Sequence, residues 1–65
     1  MNRYSKVILT PSNEENERIE FRIPNDAYDF DSEMQIFSVT ERFGDRELRT
    51  IYPLANLLSI EIVEV

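Results

Sequence analysis

The stretch that decides the fold runs from residue 34 to residue 52 and reads MQIFSVTERFGDRELRTIY. Two runs rich in β-forming residues, 34–43 and 46–52, flank the pair Gly44-Asp45, and Gly44 is the only glycine in the chain. A glycine-containing pair between two such runs is typical of a tight β-hairpin, because glycine readily adopts the backbone angles that a two-residue turn requires. The sequence therefore predicts two antiparallel strands joined by a two-residue loop.

A two-residue loop fixes which residues of this hairpin stand opposite each other. The predicted pairs are Phe43–Arg46, Arg42–Glu47, Glu41–Leu48, Thr40–Arg49, Val39–Thr50 and Phe37–Tyr52. The second pair joins opposite charges and the last joins two aromatic rings, and both kinds of cross-strand neighbour are favourable. The charges and the apolar residues therefore support the same register.

This register distributes apolar residues over both faces of the predicted hairpin. One face holds Phe37, Val39, Phe43, Leu48 and Tyr52. The other face holds Met34, Ile36 and Ile51. An antiparallel sheet with one solvated face would carry polar residues there. Either the hairpin bends across a small barrel, or its second face meets another chain, in which case Met34, Ile36 and Ile51 are the candidate interface.

The last fifteen residues, IYPLANLLSIEIVEV, are the most hydrophobic part of the chain. Pro53 cannot donate a hydrogen bond to a neighbouring strand, so it is predicted to end the fourth strand. The following PLANL predicts one short helical turn, with Leu54 and Leu57 on the same side and both buried. The final LSIEIVE alternates and predicts a central or closing strand, whose inward residues are Leu58, Ile60 and Ile62.

The first half of the chain predicts two strands and a long loop. YSKVILT, residues 4–10, and ERIEFRI, residues 17–23, read as strands separated by the polar segment PSNEENE. The second strand alternates cleanly, with Ile19, Phe21 and Ile23 on one face. PNDAYDFDSE, residues 24–33, begins with a proline, carries four acidic residues, and predicts a loop pinned to the body by its two aromatic residues.

Together these elements predict an all-β fold in a single domain, residues 1–65. The expected architecture is a small five-stranded antiparallel barrel or curled sheet, with one short helical turn before the last strand. SH3-like and Sm-like barrels share this outline of elements. The sequence contains no diagnostic motif of either group, so the outline implies no family membership.

Composition excludes several kinds of function. The chain has no cysteine and no histidine, so it lacks disulfides, thiolate metal ligands and the commonest general base. With thirteen acidic and seven basic residues its net charge is −6, which repels nucleic acids and anionic membranes. No apolar run is long enough for a transmembrane span. We therefore expect a cytoplasmic protein with no cofactor, no small-molecule substrate, no nucleic acid and no membrane partner.

Two charged clusters have alternative interpretations. The loop acids Asp26, Asp29, Asp31 and Glu33 are oxygen ligands in type, but their spacing is not that of an EF-hand and the required glycine is missing. We expect a solvated turn without a metal. The hairpin arginines Arg42, Arg46 and Arg49 alternate with acidic residues, so we expect them to form surface ion pairs rather than a nucleic-acid site.

The function predicted from the sequence is that of a small non-catalytic protein-interaction module or accessory subunit, acting as a homodimer. The reasons are a short chain with a small core and an apolar second hairpin face. One glycine cannot build a phosphate loop, and no nucleophile has a histidine to activate it, so we expect no enzyme activity. The alternative is an acidic nucleic-acid mimic that inhibits a DNA- or RNA-binding protein.

Overall fold

The computed structural model describes residues 3–13 and 17–65; residues 14–16, within the polar loop predicted from the sequence, lie outside the described part. Its elements, in chain order, are β1 (Tyr4–Pro11), β2 (Ile19–Pro24), β3 (Tyr28–Asp31), β4 (Ile36–Phe43), β5 (Arg46–Pro53), a 3₁₀ turn (Leu54–Asn56) and β6 (Leu57–Glu64). The predicted all-β class is confirmed, and so is a short helical turn before the last strand. That 3₁₀ turn is the one helical element among the described residues, and three residues are too few to cross a membrane.

The strands form two three-stranded antiparallel sheets, ordered β2-β1-β6 (sheet A) and β3-β4-β5 (sheet B). This differs from the predicted single sheet of five strands, because the described part of the chain contains six strands and they do not close into a barrel. Each sheet therefore has one central strand, β1 or β4, and two edge strands.

The sixth strand is β3, which lies within the segment predicted to be a loop. It has four residues and pairs with β4, Tyr28 opposite Val39 and Asp31 opposite Ile36. Its two aspartates disfavour a strand on propensity alone. Asp29 and Asp31 alternate with Tyr28 and Phe30, however, so both carboxylates share the outer face of the sheet, where water can solvate them.

The β4–β5 hairpin has the predicted register at every position from Phe43–Arg46 to Phe37–Tyr52. Gly44 has φ +67°, and Gln35 is the one non-glycine residue with positive φ in the described chain. Positive φ at the first loop residue alone matches a type II′ turn, which glycine favours at that position. The turn chemistry therefore sets the loop length, and the loop length sets the register.

The core lies between the two sheets and consists of few residues. Five hydrophobic side chains are buried, namely Val7, Leu9, Ile23, Phe37 and Val39. Half-buried side chains pack around them, namely Ile19, Phe21, Ala27, Tyr28, Tyr52, Leu54, Leu57 and Ile60. Leu54 and Leu57 of the predicted turn thus contact the core but are only partly buried. The buried Ser5 hydroxyl donates a hydrogen bond of 2.6 Å to Asn25 Oδ1, so this polar group is satisfied.

The last strand is neither central nor closing, contrary to the prediction. In the described residues β6 pairs with β1 alone and forms an edge of sheet A. Ile60 packs on the core as predicted, but Leu58 and Ile62 remain 58% and 41% exposed. Ile62 is exposed because nothing lies beyond the edge. The pairing of β1 with β6 skips Leu58, which marks a β-bulge and breaks the inward alternation there.

Candidate protein-interaction surface

The structure places the three predicted interface residues in different local settings. Ile51 lies on β5 and is 52% exposed. Ile36 is the first residue of β4 and is half-buried. Met34 is 68% exposed, but it lies in the turn before β4 and not on the predicted strand. Strand alternation therefore assigns Ile36 and Ile51 to the outer face of sheet B, and does not extend to Met34.

The register of the hairpin brings Ile36 and Ile51 together. Ile36 stands opposite Pro53, and Ile51 stands opposite Ser38. The two isoleucines are thus diagonal neighbours on one face, a relation that puts residues about 7–8 Å apart. With exposed Pro53 beside them they form an apolar surface, called here the outer patch and defined as Ile36, Ile51 and Pro53, with Met34 in the adjoining turn.

Hydrogen bonds define the turn that carries Met34. The Asp31 carboxylate accepts from the backbone N–H groups of Glu33 and Met34, each at 3.0 Å. Gln35 has φ +57° and donates from its side chain to the Ser32 carbonyl at 2.7 Å. An aspartate that binds backbone N–H groups two and three residues later is a common way to hold a turn. Residues 32–35 reverse the chain between β3 and β4. The alternation of β4 therefore begins at Ile36 and does not include Met34.

The same turn is tied to the end of the hairpin. The backbone N–H of Leu54, the first residue of the 3₁₀ turn, donates to the Gln35 carbonyl at 2.9 Å. The chain around Met34 is thereby held beside the chain that follows Pro53. The turn that carries Met34 therefore adjoins the end of β5, where Pro53 lies.

Polar groups surround the outer patch. Ser38 lies between Asp29 and Ile51 on the outer face, yet it is only 3% exposed. Arg49 Nη2 donates to Ser38 Oγ at 3.4 Å, so the arginine covers this small side chain. Asp31 stands opposite Ile36 on the other side. The outer face of sheet B thus changes from carboxylates on β3 to apolar side chains on β4 and β5.

A second exposed apolar pair lies at the tip of the hairpin. Phe43 is 60% exposed and Leu48 is 52% exposed, although both belong to the face of β4–β5 that holds the core residue Phe37. On the opposite face Arg42 donates to Glu47 Oε1 from both Nε and Nη2 at 3.0 Å. This ion pair was predicted from the register, and it commits one of the three hairpin arginines to an intramolecular partner.

A groove of about 290 Å³ lies between the β2–β3 turn and β4 and is lined by Pro24, Asp26, Ala27, Thr40 and Arg42. The Thr40 N–H donates to the Ala27 carbonyl at 2.8 Å across its floor. Its charged groups are a carboxylate and the guanidinium that binds Glu47, which do not form the nucleophile–base pair that covalent catalysis needs. We assign no reaction to this groove.

The four acidic residues of the predicted loop are distributed over three elements. Asp29 and Asp31 lie on β3, Asp26 lies in the turn before it and Glu33 in the turn after it. Among residues 3–13 and 17–65, no three acidic side chains converge in a way that would hold a metal ion. Asp31 instead uses its carboxylate to hold the turn that carries Met34.

The phenol of Tyr52 has a shifted pKa. The pKa of the Tyr52 phenol is raised above its ordinary value of 10.0, first by burial and second by the nearby Glu41 carboxylate. Its ring contacts Phe21 edge-on, with ring centroids 6.3 Å apart. Both causes disfavour the phenolate. Tyr52 is therefore a packing residue that joins the two sheets.

The open edge of β6 is a candidate surface that the sequence interpretation missed. A central or closing strand has a neighbouring strand on each side, whereas in the described part of the chain β6 pairs with β1 alone. Alternation alone reports which side of a strand is buried and does not report how many neighbours it has.

Comparisons with protein families, with curated proteins and with solved structures found no match. The functional argument therefore depends on the surface of this chain.

Proposed function

We propose that this protein is a small non-catalytic protein-interaction module, acting as a homodimer or as an accessory subunit of a larger assembly. The observation that carries the proposal is the outer patch. Ile51 is 52% exposed on the outer face of sheet B beside Ile36 and Pro53, and Met34, which is 68% exposed, lies in the adjoining turn. The proposal includes a cytoplasmic location, which a cysteine-free chain fits.

The outer face of sheet A provides the comparison that makes the outer patch informative. There the pairing of β1 with β2 and β6 brings together Lys6, Glu20, Arg22 and Glu61, and Lys6 Nζ binds Glu20 Oε1 at 3.1 Å. Charged side chains alternate there with apolar ones, namely Ile8 and the 51% exposed Tyr4 and Val63, whereas in the outer patch no charged side chain separates Ile36, Ile51 and Pro53. A contiguous apolar group on the other sheet is more typical of a surface that contacts protein.

The size of the core supports the same proposal. Five buried hydrophobic residues form a small core for a domain of 65 residues. Domains of this size gain stability from disulfides, metals or association, and the chain has no cysteine for the first. Binding to a folded partner stabilises the folded state by mass action. Association through the outer patch would therefore increase the free energy of unfolding of this small domain.

The test compares two single substitutions at equally exposed positions. Ile51 lies in the outer patch and Leu48 lies at the hairpin tip, and each is 52% exposed. Ile51→Lys and Leu48→Lys change charge identically, and each tagged variant is compared with wild type in quantitative co-purification from the native cell. The proposal expects a stoichiometric partner that is retained by Leu48→Lys and lost by Ile51→Lys.

Two other outcomes would contradict the proposal. Equal retention of every partner by both variants would show that the outer patch is not the contact. Loss of the partner with Asp26→Asn and Asp29→Asn, together with displacement by duplex DNA, would instead favour the nucleic-acid mimic, because a mimic binds through its carboxylates. Circular dichroism of each variant confirms that the fold is retained before binding is compared.

A further inference from the structure

β6 differs from the other edge strands in how little protects it. β2 carries alternating charges and ends at Pro24, β5 carries two arginines and a glutamate and ends at Pro53, and β3 has only four residues. Charged side chains, prolines and shortness are the usual means by which proteins keep sheet edges from pairing. β6 has eight residues, LLSIEIVE, with no proline and no basic residue. Its protecting features are the two glutamates, Glu61 and Glu64, and the bulge at Leu58.

The direction of the backbone groups along β6 follows from one hydrogen bond. The Val65 N–H donates to the Tyr4 carbonyl at 3.0 Å, so Val65 directs its backbone groups toward β1. In an antiparallel ladder, successive residues direct these groups to opposite sides. Val63, Glu61 and Ser59 therefore also face β1. The backbone groups of Ile60, Ile62 and Glu64 point outward along the open edge.

From this geometry we infer that the open edge of β6 pairs antiparallel with β6 of a second copy, with Ile62 opposite Ile62 at the two-fold axis. This deepens the proposed function, on which it rests, by naming one partner and its register. With the axis at Ile62, Ser59 and the residues after it pair within the regular ladder, and the bulge at Leu58 lies outside the paired stretch. In this register the outward groups of Ile60 in one copy meet those of Glu64 in the other.

Side chains favour this register over its neighbours. An axis at Glu61 would place two carboxylates directly opposite each other, which destabilises a sheet. An axis at Ile60 would pair Ile62 with the bulged Leu58 of the other copy. An axis at Ile62 pairs Glu61 with Val63 and Ser59 with Val65, so no carboxylate faces another. It also covers the Ile62 side chain, which is 41% exposed although it stands beside the buried Val7.

A second copy fits this edge better than the other edges of the molecule do. Pairing β6 with β5 of another copy would be a heterologous contact, which leaves a free edge at each end and grows into open assemblies. Pairing β6 with itself consumes the unprotected edge of both copies and closes at a dimer. The outer patch on sheet B remains available for a different protein.

The decisive experiment uses opposite charges at the axis. Ile62→Lys alone places two lysines opposite each other and should abolish the dimer, and Ile62→Glu should do the same with two carboxylates. An equimolar mixture of the two variants should restore dimers, because lysine then faces glutamate. The matched control is the pair Leu48→Lys and Leu48→Glu at the hairpin tip, outside both β6 and the outer patch, for which each variant alone should dimerise as wild type does. Sedimentation equilibrium from micromolar to millimolar protein measures these five samples, wild type, and Ile51→Lys, the variant that tests the outer patch.

Backbone amide exchange provides a readout that requires no substitution. In wild type, the amides of Ile60, Ile62 and Glu64 should exchange rapidly when the protein is dilute and become at least about tenfold slower when it is concentrated. The amides of Glu61 and Val63, which are bonded to β1, should be protected at both concentrations. Unchanged exchange at Ile62 in a sample shown to be dimeric would overturn the inference.

The outcomes separate this inference from the proposed function. A dimer lost with Ile51→Lys and kept with Ile62→Lys would place the self-contact in the outer patch, so the inference fails and the interaction module stands. Wild type that remains monomeric at millimolar concentration would overturn both self-pairing and the homodimeric form of the proposal. Because two chains of charge −6 repel, association through β6 should also tighten as salt is added.

Discussion

The base and the tip of the β4–β5 hairpin are built from the same two strands but lie in opposite environments. At the base, Phe37 is 1% exposed and pairs with the half-buried Tyr52. At the tip, on the same face, Phe43 is 60% exposed. Alternation assigns both phenylalanines to one face. Sheet A packs over Phe37 and does not cover Phe43. The face on which a strand residue lies and the extent to which it is buried are therefore separate properties.

The largest expected difference between base and tip is in the two phenylalanines. Phe37→Ala should destabilise the fold by about 3–5 kcal/mol, because it removes a buried ring and leaves a cavity. Phe43→Ala should cost less than about 0.5 kcal/mol, as surface substitutions usually do. Urea denaturation followed by circular dichroism measures both. If Phe37→Ala is unfolded without urea, its difference from Phe43→Ala is still established. Similar midpoints for the two variants would mean that the tip is as well packed as the base.

Leucines offer a second comparison, with a smaller expected difference. Leu57 contacts the core below the hairpin base and is half-buried, whereas Leu48 at the tip is 52% exposed. Leu57→Ala should cost about 2 kcal/mol, the lower end for truncation of a core leucine, because part of its side chain is already in water. Leu48→Ala should change the melting temperature little. A Leu57→Ala variant that melts within about a degree of wild type would show that the Leu57 side chain contributes little to the core.

The tip itself can be probed through its turn. Gly44 has φ +67° and a side chain there would meet no atom within 4 Å, so the cost of Gly44→Ala is backbone strain and not a clash. We expect about 1 kcal/mol. Gly44→Asn should cost less, because asparagine tolerates positive φ. Thermal melts of both variants test this order. An alanine variant as stable as the asparagine variant would show that the turn relaxes to another type.

The smallest expected effect is the alkaline behaviour of Tyr52 at the base. Its folded-state pKa is raised above 10.0 by burial and by Glu41, so the unfolded chain ionises first as the pH rises. The stabilisation from keeping this phenol neutral is therefore fully present below the unfolded pKa and is lost as the pH rises through the folded pKa. The free energy of unfolding of Tyr52→Phe should therefore fall less steeply with rising alkaline pH than that of wild type. Glu41→Gln should narrow the pH range between the unfolded-state and folded-state pKa values of Tyr52. Identical alkaline limbs in all three proteins would exclude the shift.

The sequence predicted the hairpin well because its determinants are local. Gly44 favours a two-residue turn, and the turn fixes which residues of β4 and β5 pair. The ion pair between Arg42 and Glu47 is consistent with that register. The exposure of Ile51 follows from the same counting. β3 could not be predicted in this way, since a four-residue segment with two aspartates becomes a strand only through its pairing with β4.

The remaining errors have long-range causes. Counting back from Gly44 predicts that Met34 lies on a strand face. In the structure Gln35 adopts positive φ, so β4 begins at Ile36 and the alternation does not reach Met34. That conformation is held by contacts to Ser32 and Leu54. The edge position of β6 and the missing barrel closure depend on how two sheets pack, which no single segment encodes.

The pairing of β1 with β6 also determines the order in which this chain can fold. Ser5 pairs with Glu64, whereas the β4–β5 hairpin closes between Phe43 and Arg46. Closing a short loop costs little entropy, and a hairpin forms in about 1–10 μs, so sheet B can begin as soon as its own residues exist. Sheet A cannot be completed until residues 57–64 have been synthesised. Until then Val7 and Leu9 have β2 as their single neighbouring strand in sheet A, so these apolar side chains are less covered in the nascent chain than in the folded protein.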